Sequence, residues 1–100
     1  MPYVYLVRCC DGSLYAGSTW DLKRRVGEHN SGLAGAAYTR HRRPVVLAWS
    51  AWCDRIEDAY AFERRLMGWG RAKREALIAG DFERLRALSR RRGGRPAPEG

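Results

Sequence analysis

The sequence predicts an α+β fold in which helices flank a three-stranded antiparallel sheet. Residues 3–9 are dense in β-branched and aromatic residues, residues 14–18 resume an extended pattern after the turn signal Asp11-Gly12, and residues 45–52 form a third apolar segment of mixed β-forming content. Apolar residues between and after these segments recur at the spacing of a helix face. The predicted order is therefore β-β-α-β-α, followed by short helices. A chain of 100 residues with 45% hydrophobic content suits one compact domain and is too short for two separate cores.

The first two strands, residues 3–9 and 14–18, are predicted to form a β-hairpin around that turn. A first helix follows, because Asp21 is a suitable N-cap and Asn30-Ser31-Gly32 supplies residues that end a helix. Residues 33–43, which come next, are predicted to form a loop.

Pro44 precedes a third apolar segment, Val45–Trp52, which is predicted to be a strand lying against the hairpin. Asp54 and Glu57 then resemble a capping box, which predicts the start of a second helix. This helix is expected to end within residues 68–70. Its apolar residues at helical spacing are Ile56, Ala59, Tyr60, Leu66 and Met67.

Two further short helices are predicted over residues 71–79 and 81–88, with Gly80 between them and Asp81 as the cap of the second. From Ser89 the chain is too polar and too rich in Gly and Pro to pack. The sequence thus predicts a folded domain over residues 1–88 and a basic, disordered tail over residues 89–100.

The charge of the chain favours a polyanionic partner. Nineteen Lys and Arg residues stand against eleven Asp and Glu residues, which gives a formal charge of +8. Such an excess is typical of proteins that bind nucleic acid, although charge alone does not name the polyanion.

The cysteines and the apolar segments bear on compartment. Cys9, Cys10 and Cys53 are odd in number and form no C-x-x-C pair, so neither a zinc site nor a disulfide framework is predicted. The amino terminus lacks the pattern of a signal peptide, and no apolar stretch approaches membrane-spanning length. A cytoplasmic protein without membrane contact is expected.

Five short elements occur in a characteristic order: Tyr3-Val4-Tyr5, Tyr15-Ala16-Gly17, Arg25, His29 and Glu63. Their order and spacing resemble the GIY-YIG nuclease superfamily over residues 3–67. Each element is weak alone, but five in register with a β-β-α-β-α pattern are specific. The stretch from Tyr15 through His29-Asn30-Ser31-Gly32 looks like the small stand-alone bacterial members. The catalytic module of those members is similar to that of the excision-repair nuclease subunit and of nucleases that cut branched DNA.

The resemblance implies hydrolysis of a phosphodiester by water with one divalent cation, Mg²⁺ or Mn²⁺. It implies that Tyr5 activates or positions the attacking water and that Tyr15 hydrogen-bonds near the scissile phosphate. Arg25 corresponds to the arginine that neutralises the phosphoryl oxygens, with His29 beside it as an accessory polar group. Glu63 corresponds to the carboxylate that holds the metal.

The helical pattern around Glu63 agrees with a special role. At 100° per residue, Glu63 falls within the apolar stripe of the second helix, so its carboxylate points toward the buried side. An unpaired charge there would be costly, and a metal ion or a salt bridge must compensate it. A salt bridge to an arginine of the first helix is the alternative to metal binding.

Arg25 and His29 lie four residues apart and therefore share one face of the first helix, beside Leu22 and Val26. An arginine at the edge of a core presents a rigid fork of donors that suits a phosphate. His29 has an equally open alternative reading, because a histidine on a helix edge is often an ordinary polar packing residue.

The hairpin loop decides whether the two tyrosines can act together. A two-residue loop would place Tyr5 and Tyr15 on opposite faces of the sheet. A three-residue loop from Cys10 to Gly12, with Gly12 left-handed, pairs Tyr5 with Gly17 and places both rings on one face. The three-residue loop is therefore predicted, and Gly17 is expected to leave space for the Tyr5 ring or a phosphate.

Several branches of the superfamily carry a lysine just after the second motif, whereas this chain has Ser18-Thr19. The lack of an ammonium group leaves a metal-bound water, His29 or solvent to assist Tyr5. The residues predicted to contact nucleic acid are Ser18, Thr19, Lys23, Arg40, His41, Arg42 and Arg43. The last four belong to an arginine-rich stretch after Tyr38, which suits phosphate contacts but is also compatible with a mobile basic loop.

The tryptophans divide into two groups. Trp49, Trp52 and Trp69 are predicted to serve as core or groove walls, because large aromatic side chains mostly serve burial. Trp20 directly follows the second motif and is expected to be exposed near substrate.

The function predicted from these observations is that of a metal-dependent endonuclease. A small contact area favours single-stranded, flapped or branched substrates, with DNA favoured over RNA and a role in repair or recombination. The alternative is a non-catalytic nucleic-acid or ribosome-binding module on the same fold, because function follows from a site and not from a fold. The sequence leaves the oligomeric state and the pathway open.

Overall fold

The structure is a computed structural model that describes residues 2–32 and 35–93, with side chains described as far as residue 90. The chain divides into two compact units, Met1–Gly68 and Trp69–Gly100. The elements are β1 (Tyr3–Arg8), β2 (Leu14–Thr19), α1 (Leu22–Ser31), α2 (Ala37–Arg40), β3 (Val46–Trp52), α3 (Ile56–Met67), α4 (Arg71–Ala79) and α5 (Phe82–Gly93). The predicted α+β class is confirmed.

The three strands form one antiparallel sheet in the order β2-β1-β3. The hairpin between β1 and β2 has the predicted register, in which Tyr5 pairs with Gly17 and Val7 pairs with Tyr15. Gly12 has a φ of 85°, and the Cys9 amide donates to the Ser13 carbonyl across a three-residue loop. The predicted loop is therefore confirmed, and Tyr5 and Tyr15 lie on one face of the sheet.

The core of the first unit is built on the central strand. Val4, Tyr5, Leu6 and Val7 of β1 are all at most 1% exposed, as expected for a strand covered on both faces. Tyr5 and Val7 pack with Cys9 and Val45, and the apolar residues of α1 close this cluster from outside. On α3, Ala59 and Leu66 are fully buried where that helix packs against β1 and β2.

Helix α1 begins and ends as predicted. The Asp21 carboxylate accepts from the Arg24 amide at 3.1 Å, and Gly32 adopts the left-handed conformation (φ 75°) at the end of the helix. The capping box predicted for α3 is wrong. That helix begins at Ile56 with Arg55 as a cap that forms no side-chain hydrogen bond. Asp54 thus lies one residue before the capping position, where its carboxylate cannot serve as the N-cap acceptor.

Two predicted boundaries and one predicted face also differ from the structure. The segment 33–43 contains the short helix α2, and α5 continues to Gly93, five residues past its predicted end; residues 94–100 of the expected tail lie outside the described residues. On α3, Tyr60 and Met67 are each 50% exposed, because the buried face of the helix runs through Ala59 and Leu66.

The second unit contains α4 and α5. Ala76 and Leu77 of α4 are buried, and Gly80 ends this helix with a φ of 71°. The Asp81 carboxylate accepts from the Arg84 amide at 3.1 Å, as predicted for the cap of α5. No helix in the described part of the chain is long and apolar enough to cross a membrane.

Candidate active site

The phenol of Tyr5 is the centre of a polar cluster on the face of the sheet that α1 covers. Its oxygen lies 2.9 Å from His29 Nε2, and Arg25 Nε donates to the same oxygen at 3.3 Å. Arg25 and His29 both extend from α1, and their separation by four residues brings them to one oxygen. The predicted common face of these residues is confirmed.

Gly17 makes room for the Tyr5 ring. A Cβ atom at position 17 would lie 2.6 Å from Tyr5 Cζ, far inside van der Waals contact. The space opposite Tyr5, expected from the sequence to hold either the ring or a phosphate, therefore holds the ring. Because Gly17 has no side chain, the Tyr5 ring can pass over β2 at this position and reach the side chains of α1.

Tyr15 lies beside the same histidine and is covered from outside by α2. Its ring meets the His29 ring edge-on at a centroid distance of 5.6 Å and stacks on Tyr38 at 5.6 Å. The Arg42 guanidinium lies over the Tyr38 ring, 4.0 Å from its centroid, and pairs with Asp11 of the hairpin loop at 3.1 Å. The stack thus joins the hairpin loop, α2 and the second tyrosine.

His29 is fully buried, and both of its ring nitrogens have partners. Nδ1 lies 2.8 Å from Thr39 Oγ1, and Thr39 is also fully buried. Thr39 Oγ1 in turn donates to the Ala36 carbonyl at 3.0 Å. Sequence reasoning missed Thr39. It lies in a segment predicted as a loop, and the sequence does not show which side chains a loop residue contacts.

Glu28 is a second residue that sequence reasoning missed. Its carboxylate accepts from Arg25 Nη1 at 2.9 Å and from Arg24 Nε at 3.2 Å. The i to i+3 spacing of Arg25 and Glu28 was the available signal. The hydrogen bond from Arg25 is the main reason that the pKa of Glu28 lies below its usual range. Glu28 therefore holds the guanidinium of Arg25 beside Tyr5.

Glu63 lies on α3 and is half-buried. Ser18 Oγ donates to Glu63 Oε1 at 2.7 Å and also contacts the Ala59 carbonyl at 3.3 Å. The partner of Glu63 in the described part of the chain is thus Ser18 and not an arginine of α1, whose Arg25 pairs with Glu28. Ser18 therefore orients the carboxylate, and its predicted contact with nucleic acid stays a prediction.

The surroundings keep all three rings uncharged near neutral pH. Burial raises the pKa of Tyr5, the Glu63 charge adds to this, and the hydrogen bond from Arg25 opposes it. Burial and the Glu63 charge also raise the pKa of Tyr15. Burial and the Arg25 charge lower the pKa of His29 below its usual value near 6.5. His29 is thus a neutral imidazole that can accept a proton.

The donor set fits only a sparsely liganded metal ion. Over residues 2–32 and 35–93, no group of three or more His, Cys, Asp or Glu side chains is placed to hold a metal. One oxygen of Glu63 accepts from Ser18, and the carboxylate has a second oxygen available. Mg²⁺ commonly uses one or two carboxylates, keeps several waters and takes further ligands from substrate phosphates. Glu63 fits that pattern as a single protein ligand.

The other predicted nucleic-acid contacts divide into engaged and available groups. Thr19 accepts from the Asp21 amide at 3.2 Å, and Arg43 donates to the Arg40 and Asn30 carbonyls at 2.9 and 3.2 Å. Lys23 is exposed. Arg40 and His41 are exposed on an open groove of about 480 Å³. Arg42 and Arg43 are thus held by other groups of the protein, although Arg43 is also exposed on the same groove, and the predicted contacts of all these residues with nucleic acid stay predictions.

The tryptophans follow the prediction in part. Trp20 is 61% exposed, as expected, and Trp49 packs against Phe62 with ring centroids 5.6 Å apart. Trp52 is 53% exposed, so it is not a core residue, and its other predicted role, as a groove wall, stays a prediction. Trp52 lies at the end of the edge strand β3, where one side of its ring stays open to solvent.

The fold and the cluster together define a class of protein. This small α+β domain brings an arginine and a histidine to one tyrosine oxygen, packs a second tyrosine against that histidine, and carries a carboxylate on α3 close enough to raise the pKa of both tyrosines. Such a set of groups is the make-up of a nuclease domain. The family model described as the GIY-YIG catalytic domain matches residues 1–76. The chain therefore belongs to the GIY-YIG family, which is a superfamily of nucleases.

Individual relatives agree with this placement. The chain is 46% identical over 78 residues to a UPF0213 protein of Halobacterium salinarum, covering 78% of this chain and all of that protein. It is 46% identical over 76 residues to a UPF0213 protein of Bacillus pumilus, covering 76% of each. The solution NMR structure of a UPF0213 protein from Bacillus halodurans is similar with a TM-score of 0.51 and 39% identity, covering 89% of this chain and 98% of that one.

Proposed function

We propose that the protein is a metal-dependent endonuclease that hydrolyses phosphodiesters of nucleic acid. The observation that carries the proposal is the environment of the Tyr5 phenol. It lies between the Nε2 of a buried, neutral histidine and the Nε of an arginine, at 2.9 and 3.3 Å. A hydroxyl held between a proton acceptor and a cation can pass on a proton in a reaction. A tyrosine with a purely structural role does not need both of these partners.

Tyr5 acts as a relay and not as a standing phenolate. Because its pKa is raised, the phenol keeps its proton near neutral pH. The attacking water gives a proton to the Tyr5 oxygen while the phenolic proton moves to His29 Nε2. Arg25 Nε, which donates to the Tyr5 oxygen, stabilises the negative charge that develops there during the transfer. His29 is the final acceptor and becomes an imidazolium.

The bond changes balance as a hydrolysis. The water oxygen forms a bond to phosphorus, the ester P–O bond breaks, and the leaving oxygen takes a proton from solvent. The family resemblance implies that Arg25 and Tyr15 contact the phosphoryl oxygens. A Mg²⁺ or Mn²⁺ ion on Glu63 would neutralise charge on the phosphate and the leaving oxygen.

The substrate proposed is DNA that is single-stranded, flapped or branched, with a role in repair or recombination in the cytoplasm. The formal charge of +8 supports a nucleic-acid substrate. Lys23, Arg40 and His41 are exposed, so the cations of Lys23 and Arg40 and the ring N–H of His41 can contact the strand on either side of the cut. These contacts address phosphates and not bases, which suits recognition of shape more than of sequence.

Cleavage of labelled single-stranded, duplex, flap and branched DNA in Mg²⁺, Mn²⁺ or EDTA tests the proposal. We expect metal-dependent cutting that is lost in Glu63→Ala and in Arg25→Ala. Glu57→Ala is the matched control, because it removes the same charge from an exposed position on the same helix. A parallel RNA series measures the preference for DNA.

Two outcomes would overturn the proposal. Equal cutting by the wild type and Glu63→Ala would place the activity elsewhere or in a contaminant. Binding to these substrates without cutting under every metal condition would establish the alternative, a non-catalytic nucleic-acid or ribosome-binding module.

A further inference from the structure

A buried chain of hydrogen bonds continues past the proposed relay into α2. It runs from the Tyr5 phenol to His29 Nε2 at 2.9 Å, from His29 Nδ1 to Thr39 Oγ1 at 2.8 Å, and from Thr39 Oγ1 to the Ala36 carbonyl at 3.0 Å. Tyr5, His29 and Thr39 are each at most 1% exposed. Bulk water is therefore excluded from the link between His29 and Thr39, and the protons of that link must be shared among the bonded groups themselves.

The Ala36 carbonyl, at the end of this series of hydrogen bonds, fixes the direction of each bond in it. A carbonyl oxygen can only accept, so the single hydroxyl proton of Thr39 points to Ala36. Thr39 Oγ1 then meets His29 Nδ1 with a lone pair, and Nδ1 must carry the proton. A neutral imidazole protonated on Nδ1 has its lone pair on Nε2, which faces the Tyr5 hydroxyl.

We propose that Thr39 is a positioning residue that fixes His29 in the tautomer able to take the proton of Tyr5. Thr39 does not touch the substrate in this proposal, and it acts only through His29. The proposal rests on the proposed function for its catalytic consequence. Its statement about the tautomer of His29 stands independently of that function.

The arrangement also suits the protonated state. When the Tyr5 proton arrives at Nε2, both ring nitrogens become donors. Nδ1 already donates to Thr39 Oγ1, and Nε2 then donates to the Tyr5 oxygen, so no partner has to rotate. A valine at position 39 would fill the same space but would offer Nδ1 no acceptor.

The charges around His29 are few and come from three elements. The titratable and charged groups that face it are Tyr5 on β1, Tyr15 on β2, and Arg25 and Glu28 on its own helix α1. Thr39 comes from α2, which contributes no charged group to the ring. Its contribution is therefore to the position of the proton and not to the electrostatic field.

Nitrogen-15 NMR of the His29 ring in the full chain tests the proposal directly. In the wild type we expect a proton on Nδ1 and none on Nε2 between pH 7 and 8. Thr39→Val should shift the ring toward the Nε2–H form, and Thr39→Ser, which keeps the hydroxyl, should restore the wild-type pattern. A wild-type ring with its proton on Nε2 would overturn the proposal even if Thr39→Val fails to fold.

Kinetics and pH profiles separate positioning from simple structural support. We expect Thr39→Val to lower kcat for cleavage about 10- to 100-fold with little change in KM, as for other residues that orient a functional imidazole. Thr39→Ser should recover most of this loss. The pH at which kcat rises on its acid side should move in Thr39→Val and return in Thr39→Ser.

The outcomes distinguish this proposal from the proposed function. A tautomer that changes as expected in a protein without nuclease activity leaves the role of Thr39 intact and overturns only the endonuclease. An active Thr39→Val protein with an unchanged tautomer and an unchanged pH profile overturns the role of Thr39 and leaves the endonuclease intact.

Discussion

The two sides of the site differ in how much of their chemistry is already arranged. On the buried side, formed by Tyr5, His29 and Thr39, every polar side-chain atom has a protein partner and exposure is at most 1%. On the open side, formed by Ser18 and Glu63, both residues are half-buried and one hydrogen bond orients the carboxylate. Proton transfer from Tyr5 to His29 needs fixed distances between the two side chains, whereas a metal and a phosphate must enter from solvent.

This difference predicts different consequences of substitution. A change on the buried side leaves an unsatisfied polar group and should therefore lower stability together with activity. A change on the open side exposes its partner to water, which can replace the lost hydrogen bond, and should lower activity alone.

Glu63→Gln should have the largest effect on activity. It tests whether a change on the open side lowers activity without lowering stability. Glutamine keeps an oxygen for Ser18 but loses the charge, so we expect cleavage to fall about 10³-fold, in the range for losing a group that stabilises transition-state charge. The free energy of unfolding should change by less than about 0.5 kcal/mol. Cleavage rates in Mg²⁺ and urea unfolding measure the two quantities. A large loss of stability would show that Glu63 belongs to the buried side.

Tyr5→Phe should lower both quantities. We expect cleavage to fall about 10²-fold, because the relay loses its hydroxyl. The free energy of unfolding should fall by about 1–3 kcal/mol, because His29 Nε2 is left buried without its partner. Tyr60→Phe on the exposed side of α3 is the matched control and should leave both unchanged. Loss of activity with full stability would contradict the idea that this side is tightly arranged.

The pH dependence of stability isolates the buried side. Because the pKa of folded His29 is lowered, the unfolded chain binds more protons as pH falls below about 6.5. The stability from a neutral His29 is thus fully present above pH 6.5 and is lost as pH falls through the folded pKa. Glu28 and Asp11 also have lowered pKa values. They reduce stability only at more acidic pH, once the pH falls below their ordinary pKa values of 4.5 and 3.8.

Urea unfolding between pH 5 and 8 measures this dependence. His29→Asn should flatten the change between pH 7 and 5, whereas His41→Gln on the exposed groove should leave it in place. A dependence that survives in His29→Asn would assign it to another group.

Arg40→Ala and Arg42→Ala should show the smallest effects and extend the comparison to the basic stretch. Arg40 is exposed, so its loss should weaken DNA binding a few-fold and reduce the slope of log Kd against log salt by about 1. Arg42 is held by Asp11 and Tyr38, so its loss should cost about 0.5–2 kcal/mol of stability in total and leave the slope unchanged. Fluorescence anisotropy in a salt series and urea unfolding measure these effects. Equal slopes in all three proteins would remove Arg40 from the contact surface.

The sequence predicted the order of the sheet elements and the hairpin because these depend on local signals. The Asp11-Gly12 turn, the alternation of β1 and the need to keep two tyrosines on one face selected a three-residue loop, and its register is confirmed. The N-cap of α3 was predicted wrongly at Asp54 and is Arg55. A capping pattern in the sequence does not show which residue is the last one before the helical conformation begins.

The neighbours of the site residues could be predicted only where they lie on one helix. Arg25 and His29 were placed on a common face by their spacing, and both reach Tyr5. Ser18 and Thr39 were not recognised as partners of Glu63 and His29, since 45 and 10 residues separate the members of these pairs. Long-range contacts depend on how elements pack, and no local spacing encodes them.

The sequence by itself determined the α+β class, the GIY-YIG motifs and the faces on which Tyr5, Tyr15, Arg25 and His29 lie. Helical and strand periodicity and turn formation depend on residues close together in the sequence, so the amino-acid sequence alone is enough to predict them. Only the tertiary structure decided which side of the site is closed and which groups are joined by each buried hydrogen bond. Those properties depend on exclusion of water and on hydrogen-bond partners brought together from β1, α1 and α2, and they exist only once those elements have packed.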